Sequence, residues 1–310
     1  MMQALWRHSR ALWQNRQWRG LILGGTIAAT LALLAVGIIR GWPELIRYRW
    51  QFDWRWLALS ALMYACSLGL AVLAWIRIMR GLQAGSTWRQ DAKFCLYSLI
   101  ARRLPTPAPY IASRVLLYEE IGVPKLTTSV GLLWENLLLI AAGAIGVLLV
   151  LPLTPIVGER TALLPIALVA GIGLLLVARP TFAVQAINWL LRLLGKAPLA
   201  IVLQPRTLLS ALVLYTGLWL MGGMLLFCLI CAIYPIGWDA LPLILQGWMI
   251  SGLASYVVFF APVGFGVREL TMAALLALVI PLSVAVVVVI LVRLWTMANE
   301  LLWALIFYRL

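Results

Sequence analysis

Long runs of apolar residues without charge constrain this chain more than any other feature. Residues 21–39 contain no acidic or basic side chain, and neither do 57–76, 161–178, 207–233 and 240–261. A helix of roughly 20 apolar residues spans the hydrocarbon of a bilayer. The chain therefore reads as all-α, a polytopic helical membrane protein forming a single transmembrane domain over residues 1–310. Composition agrees: 64% of the residues are apolar and 11% charged, against about half and about a quarter in soluble domains. No polar stretch is long enough to suggest a separate soluble catalytic domain.

The N-terminal 20 residues do not read as a secretory signal, because Arg7, His8, Arg10, Arg16 and Arg19 interrupt their apolar residues. With Trp6, Trp13 and Trp18 they suit a segment lying at the headgroup level; a frayed tail fits the same residues. The net charge is +14. In a soluble protein that would suggest nucleic-acid binding. Here the cations fall in short loops, so topology and lipid phosphate account for them and no nucleic-acid partner is expected. Cys228 and Cys231 form a CxxC inside an uncharged apolar run and read as small apolar residues. His8 is the only histidine, which leaves no His-based metal site or catalytic triad. GxxxxGK[ST] does not occur, and no cofactor is expected.

Lys and Arg in short loops mark the cytoplasmic side. Residues 1–20 carry four, 77–103 six and 179–206 four, while 152–160 carry one and 234–239 none. Residues 40–55 break the pattern with four Arg. Both termini are thus expected in the cytoplasm of a bacterial inner membrane. Six full spans follow: 21–39, 56–76, 126–151, 161–178, 207–233 and 282–307. Residues 1–55 form the surface segment and first span, and 56–152 a first repeat. Residues 153–206 are a linking span with its cytoplasmic loop, and 207–310 a second repeat.

Two stretches do not read as spans. In 92–124, Pro105, Pro107 and Pro109 interrupt short apolar pieces, and each proline removes an N–H donor and restricts its predecessor. In 240–281 the break surrounds Pro262, Gly264 and Gly266. Each stretch is expected to form a re-entrant helical hairpin, one entering from each side. Each has an Arg soon after the break, a short apolar helix, a second Pro, and then a long span with a Glu beside an Asn (Glu135-Asn136 and Asn299-Glu300). The order suggests an inverted-topology repeat, a design that places a substrate site near the midplane.

Charges at membrane depth are costly and mark functional sites. The helices after the breaks offer free N–H groups to an anion. Arg114, Arg268 and Arg293, with Gly264 and Gly266, are candidate ligands of a lipid phosphate. Glu135, Glu269 and Glu300 are candidates for charge balance or proton relay. The same charges could instead pair with one another and tie the two repeats together. Glu119 and Glu120 lie near a helix end, where at least one is expected to be solvated. No nucleophile or metal-ligand cluster accompanies these carboxylates.

The segment 259–269, FFAPVGFGVRE, resembles the PxGxGxxE-type signature of the lysylphosphatidylglycerol synthase transmembrane-region family, whose members are also called flippase-like-domain proteins. The resemblance continues through 294–300 and, with Arg114 and Gly122, through 105–124, so that it covers about 92–310. It implies a helical fold linked to moving lipids between leaflets, and a role for Pro262, Gly264, Gly266, Glu269 and Arg114. The first segment departs from the pattern, with Pro109 where relatives commonly have Gly. No aminoacyl-transfer domain is expected beside these helices, so the resemblance does not imply lipid synthesis. The expected function is translocation of an anionic lipid, a phospholipid or polyprenyl phosphate. The alternatives are a non-transporting lipid-binding partner of a lipid- or glycan-synthesis enzyme, and an intramembrane enzyme acting on a lipid phosphate.

Overall fold

The computed structural model describes residues 39, 52–101, 108–154, 163–193, 202–258 and 264–308. The expected N-terminal surface segment, and the first span apart from Ile39, lie outside the described residues. So do Pro105, Pro107 and Pro262.

Ten α-helices make up the described fold, with no strand among the described residues. They are α1 Trp54–Gly81, α2 Trp88–Ala101, α3 Ala108–Glu120, α4 Lys125–Val150 and α5 Leu163–Ala178. After these come α6 Pro180–Leu193, α7 Pro205–Cys231, α8 Leu241–Val258, α9 Gly264–Leu276 and α10 Leu282–Tyr308. Local chemistry sets several of the boundaries. The Asp53 carboxylate accepts the Arg55 N–H at 2.9 Å and caps α1. Thr87 and Gln90 form a capping box at the start of α2, where the Thr87 N–H donates to Gln90 Oε1 at 2.8 Å and the Gln90 N–H to Thr87 Oγ1 at 3.4 Å. Pro180 and Pro205 open α6 and α7, where a missing N–H costs nothing.

Helices α1, α4, α7 and α10 are long and apolar enough to cross a membrane. α5 and α6 together make a fifth candidate, bent by 99° between them. The expected span 161–178 is therefore represented by α5, whose 16 residues do not suffice alone. The expected loop after it contains a further helix, α6. Phe182, Trp189 and Leu193 stand exposed on α6.

The long helices bracket short ones in the same order twice. Lengths of 28, 14, 13 and 26 residues in α1–α4 are followed, after α5 and α6, by 27, 18, 13 and 27 in α7–α10. The 14 residues of α2 reach about 21 Å at about 1.5 Å per residue, short of a bilayer core.

α1 and α7 pack along their length and run antiparallel. The Asp53 N–H donates to the Ala232 carbonyl at 3.0 Å. Ser60 Oγ donates to the Leu225 carbonyl at 3.2 Å, and Ser67 Oγ to the Leu218 carbonyl at 3.2 Å. Each advance of seven residues on α1 meets a retreat of seven on α7, the repeat of a helix pair in steady contact. At the far end Gly81 lies against Leu203 and Thr207.

α4 packs on α7 and α8, and α10 on α9 and α2. The Trp219 indole of α7 donates to the Leu139 carbonyl of α4 at 2.9 Å. Gly143 of α4 and Gly252 of α8 lie against this ring. Buried apolar side chains from all these helices form a single core cluster.

Candidate functional site

Each set of four helices holds an Arg–Glu pair between its second short helix and the long helix that follows. In the first set Arg114 of α3 donates from Nη1 to Glu135 Oε2 of α4 at 2.6 Å. In the second Arg293 of α10 donates from Nη1 to Glu269 Oε1 of α9 at 2.7 Å. The charges have exchanged helices: the cation is on the short helix in one pair and on the long helix in the other. Both pairs thus join helices within their own set. The alternative in which such charges tie the two sets together is not the arrangement seen for these four residues.

The first pair is sealed. The side chains of Arg114 and Glu135 are 0% and 5% exposed. Arg114 Nε donates to Ser98 Oγ at 2.9 Å, and its guanidinium lies 4.2 Å from the Trp75 ring centre and 4.9 Å from that of Tyr110. Tyr110 donates its hydroxyl proton to Glu135 at 2.7 Å. A buried charge is tolerated when its hydrogen-bonding capacity is met in this way.

The second pair is accessible. Arg293 and Glu269 are 30% and 18% exposed. They line a narrow cleft with Arg268 and Trp248, and Met272, Val289, Val292 and Thr296 complete its wall. The Arg268 guanidinium lies 4.4 Å from the Trp248 ring centre. Gly222 of α7 fixes that ring, because a Cβ there would fall within the Trp248 indole.

α9 begins at Gly264, so both glycines of the expected break belong to its first turn. Gly266 has φ +105°, a conformation that side chains disfavour, and its N–H donates to Glu269 Oε2 at 3.1 Å. Arg268 is consequently the fifth residue of α9. Likewise α3 begins at Ala108, and Pro109 lies in its first turn instead of in the break.

Glu300 is buried on α10 and accepts a short hydrogen bond from Tyr64 of α1. This bond does connect the two sets. The neighbouring asparagines have matching local roles. Asn136 Nδ2 donates to the Leu132 carbonyl at 2.7 Å, and Asn299 Nδ2 to the Trp295 carbonyl at 2.8 Å. Glu119 and Glu120 are both exposed, and Glu119 pairs with Lys125 at 2.9 Å. The candidate cations are thus divided: Arg268 and Arg293 share one cleft, and Arg114 belongs to a separate enclosed cluster.

Sequence reasoning passed over a second polar cluster beside Arg114. Asp91 of α2 is fully buried, and its Oδ1 accepts from Ser86 Oγ at 2.6 Å and from the Tyr118 hydroxyl at 2.5 Å. Tyr118 in turn accepts from Trp75 Nε1 at 2.7 Å. Burial raises the Asp91 pKa above the ordinary carboxylate value, opposed by the Ser86 and Tyr118 hydrogen bonds and the charge of Arg80. The available sequence signal was an Asp at the head of an apolar segment. Trp248 was missed as well, since an aromatic in an uncharged run reads as core.

Among the described residues no group of His, Cys, Asp and Glu could hold a metal ion. Cys228 is buried and Cys231 partly buried in the apolar helix α7.

Described residues that are all-helical, with four or five apolar helices of membrane-crossing length among them, place the chain in the class of multi-pass membrane proteins. No family model and no curated protein sequence matches it.

Proposed function

We propose that this protein carries an anionic, phosphate-bearing lipid between the leaflets of a bacterial inner membrane, and that Arg268 and Arg293 receive the phosphate. The observation that carries this reading is the cleft between α8, α9 and α10, where two guanidinium groups and one carboxylate line a partly exposed wall. Arginine is suited to phosphate because its planar fork donates two hydrogen bonds in parallel. The largely apolar remainder of the wall suits the glycerol or prenyl portion behind the headgroup. Arg114, sealed against Glu135, serves as the matching pin of the first half.

The repeated order of helix lengths and the antiparallel α1–α7 pair support an inverted-topology repeat. In such a design α2–α3 and α8–α9 are hairpins that enter from opposite sides and meet in the interior. Irregular backbone at that depth is tolerated where it is enclosed by protein or lines a polar cavity. The charge distribution of the loops supports an orientation with the 77–103 and 179–206 regions in the cytoplasm.

The test is a flipping assay in liposomes containing the purified chain and a fluorescent phosphatidylglycerol, with a polyprenyl phosphate as a second cargo. The protein should accelerate headgroup exchange, and Arg268→Ala should slow it about tenfold or more, the loss of one charge-assisted contact. Absence of acceleration across anionic and prenyl-phosphate lipids would overturn the reading.

A further inference from the structure

We infer that Glu269 is an internal stand-in for the lipid phosphate: it occupies the anion site in the empty protein and must be displaced when the lipid binds. This inference rests on the proposed lipid-phosphate site and specifies how that site is kept when empty.

The Glu269 carboxylate has the ligand set of a bound phosphate oxygen pair. One oxygen receives the Arg293 guanidinium at 2.7 Å, and the other receives the Gly266 N–H at 3.1 Å. A cationic side chain and a backbone N–H in the first turn of a helix are the two donors that such termini offer to anions. Gly266 can present its N–H in this geometry because φ +105° is open to glycine. An incoming phosphate needs those same donors, and the carboxylate already holds them.

The matching pair behaves differently, which argues against a purely structural reason for the arrangement. Glu135 is enclosed, with Tyr110 and Arg114 both directed at it. Glu269 is instead partly exposed on a cleft. The cleft wall presents Arg268 and Arg293 beside Glu269, so both guanidinium groups lie next to the carboxylate that a phosphate would replace.

Competition reduces apparent affinity by the fraction of time the site is open. If the carboxylate holds the donors most of the time, removing its charge tightens binding about tenfold. The experiment is a titration of the full chain in detergent, followed by native mass spectrometry. The probes are short-chain phosphatidylglycerol, short-chain phosphatidylcholine and inorganic phosphate. Glu269→Gln keeps the size of the side chain and its acceptor for Gly266. Glu119→Gln makes the same change of net charge at an exposed position. Arg293→Gln removes the shared donor, and thermal unfolding of each variant reports folding.

The expected result is about tenfold tighter phosphatidylglycerol binding by folded E269Q, no change in E119Q, and loss in R293Q. Equal or weaker binding by E269Q, with wild type still binding the anionic lipid, would overturn this inference and leave the lipid site standing. A tightening seen with inorganic phosphate but with neither lipid would support the competition and overturn the lipid cargo. No binding of any probe to wild type or E269Q would overturn both.

Discussion

Arg114 and Arg293 make the same kind of bond, but their surroundings give removal of the partner different consequences. Glu135→Gln leaves the Arg114 charge enclosed between Trp75, Tyr110 and Ser98 with its anion gone. Breaking one side of a buried pair costs about 3–5 kcal/mol. Replacing Arg114 and Glu135 together with Met and Leu should cost much less, because no charge is stranded. Unfolding in mixed detergent measures both, and equal losses would show that the pair contributes only packing. Asp91 gives a prediction with a pH sign. Its folded-state pKa is raised, so the folded chain holds the proton more tightly than the unfolded one. The stability this confers is full below the ordinary carboxylate value of about 3.9 and is lost as pH rises through the folded value. Asp91→Asn does not titrate, so its thermal midpoint should gain on the wild type as pH is raised from about 4 to about 7. A constant difference would show that Asp91 does not change protonation in that window.

At the scale of elements, the accessible cleft depends on a glycine on another helix. Gly222 of α7 gives the Trp248 indole of α8 its place, and Trp248 faces Arg268 of α9. Gly222→Ala forces the ring to move. Overpacking of this kind costs about 1–3 kcal/mol. The variant should also slow lipid exchange more than Gly69→Ala on α1, where a Cβ meets nothing within 4 Å. Similar activity of the two variants would separate Trp248 from the site. The hydrogen bonds from Ser60 and Ser67 to backbone carbonyls of α7 explain how two largely apolar helices hold one register. In lipid the hydrophobic effect does not choose the partner, so close packing and such bonds do.

For the whole molecule, the antiparallel α1–α7 pair sets which ends share a side. The end of α1 at Gln83 lies with the start of α7 at Val202, since Gly81 touches Leu203. The other ends, near Asp53 and Trp238, lie at the opposite side, since Asp53 bonds Ala232. Cysteines at Gln83 and Val202 should therefore react with a membrane-impermeant reagent from one face, and cysteines at Phe52 and Trp238 from the other. With the loop charges as they are, the first two should be protected in intact cells. Labelling of all four from one face would contradict a bundle that spans the membrane with this pairing.

Apolar runs and loop charges determined by themselves that the chain is helical and membrane-crossing, because a bilayer filters sequences by hydropathy over about 20 residues. They also placed four of the expected spans: 56–76, 126–151, 207–233 and 282–307 fall within or beside α1, α4, α7 and α10. The charged residues at the candidate site were legible for the same reason, since Arg and Glu stand out in apolar sequence. Their partners were not. Arg114 and Arg268 look alike along the chain, each a few residues past a proline-bearing break. Only the fold encloses the first with Glu135 and opens the second onto a cleft with Arg293, because burial and pairing depend on helices that sequence distance does not order. Gly222, Trp248 and Tyr64 have no local signal at all. Their roles come from neighbours 20 to 236 residues away, and only tertiary packing brings those neighbours into contact.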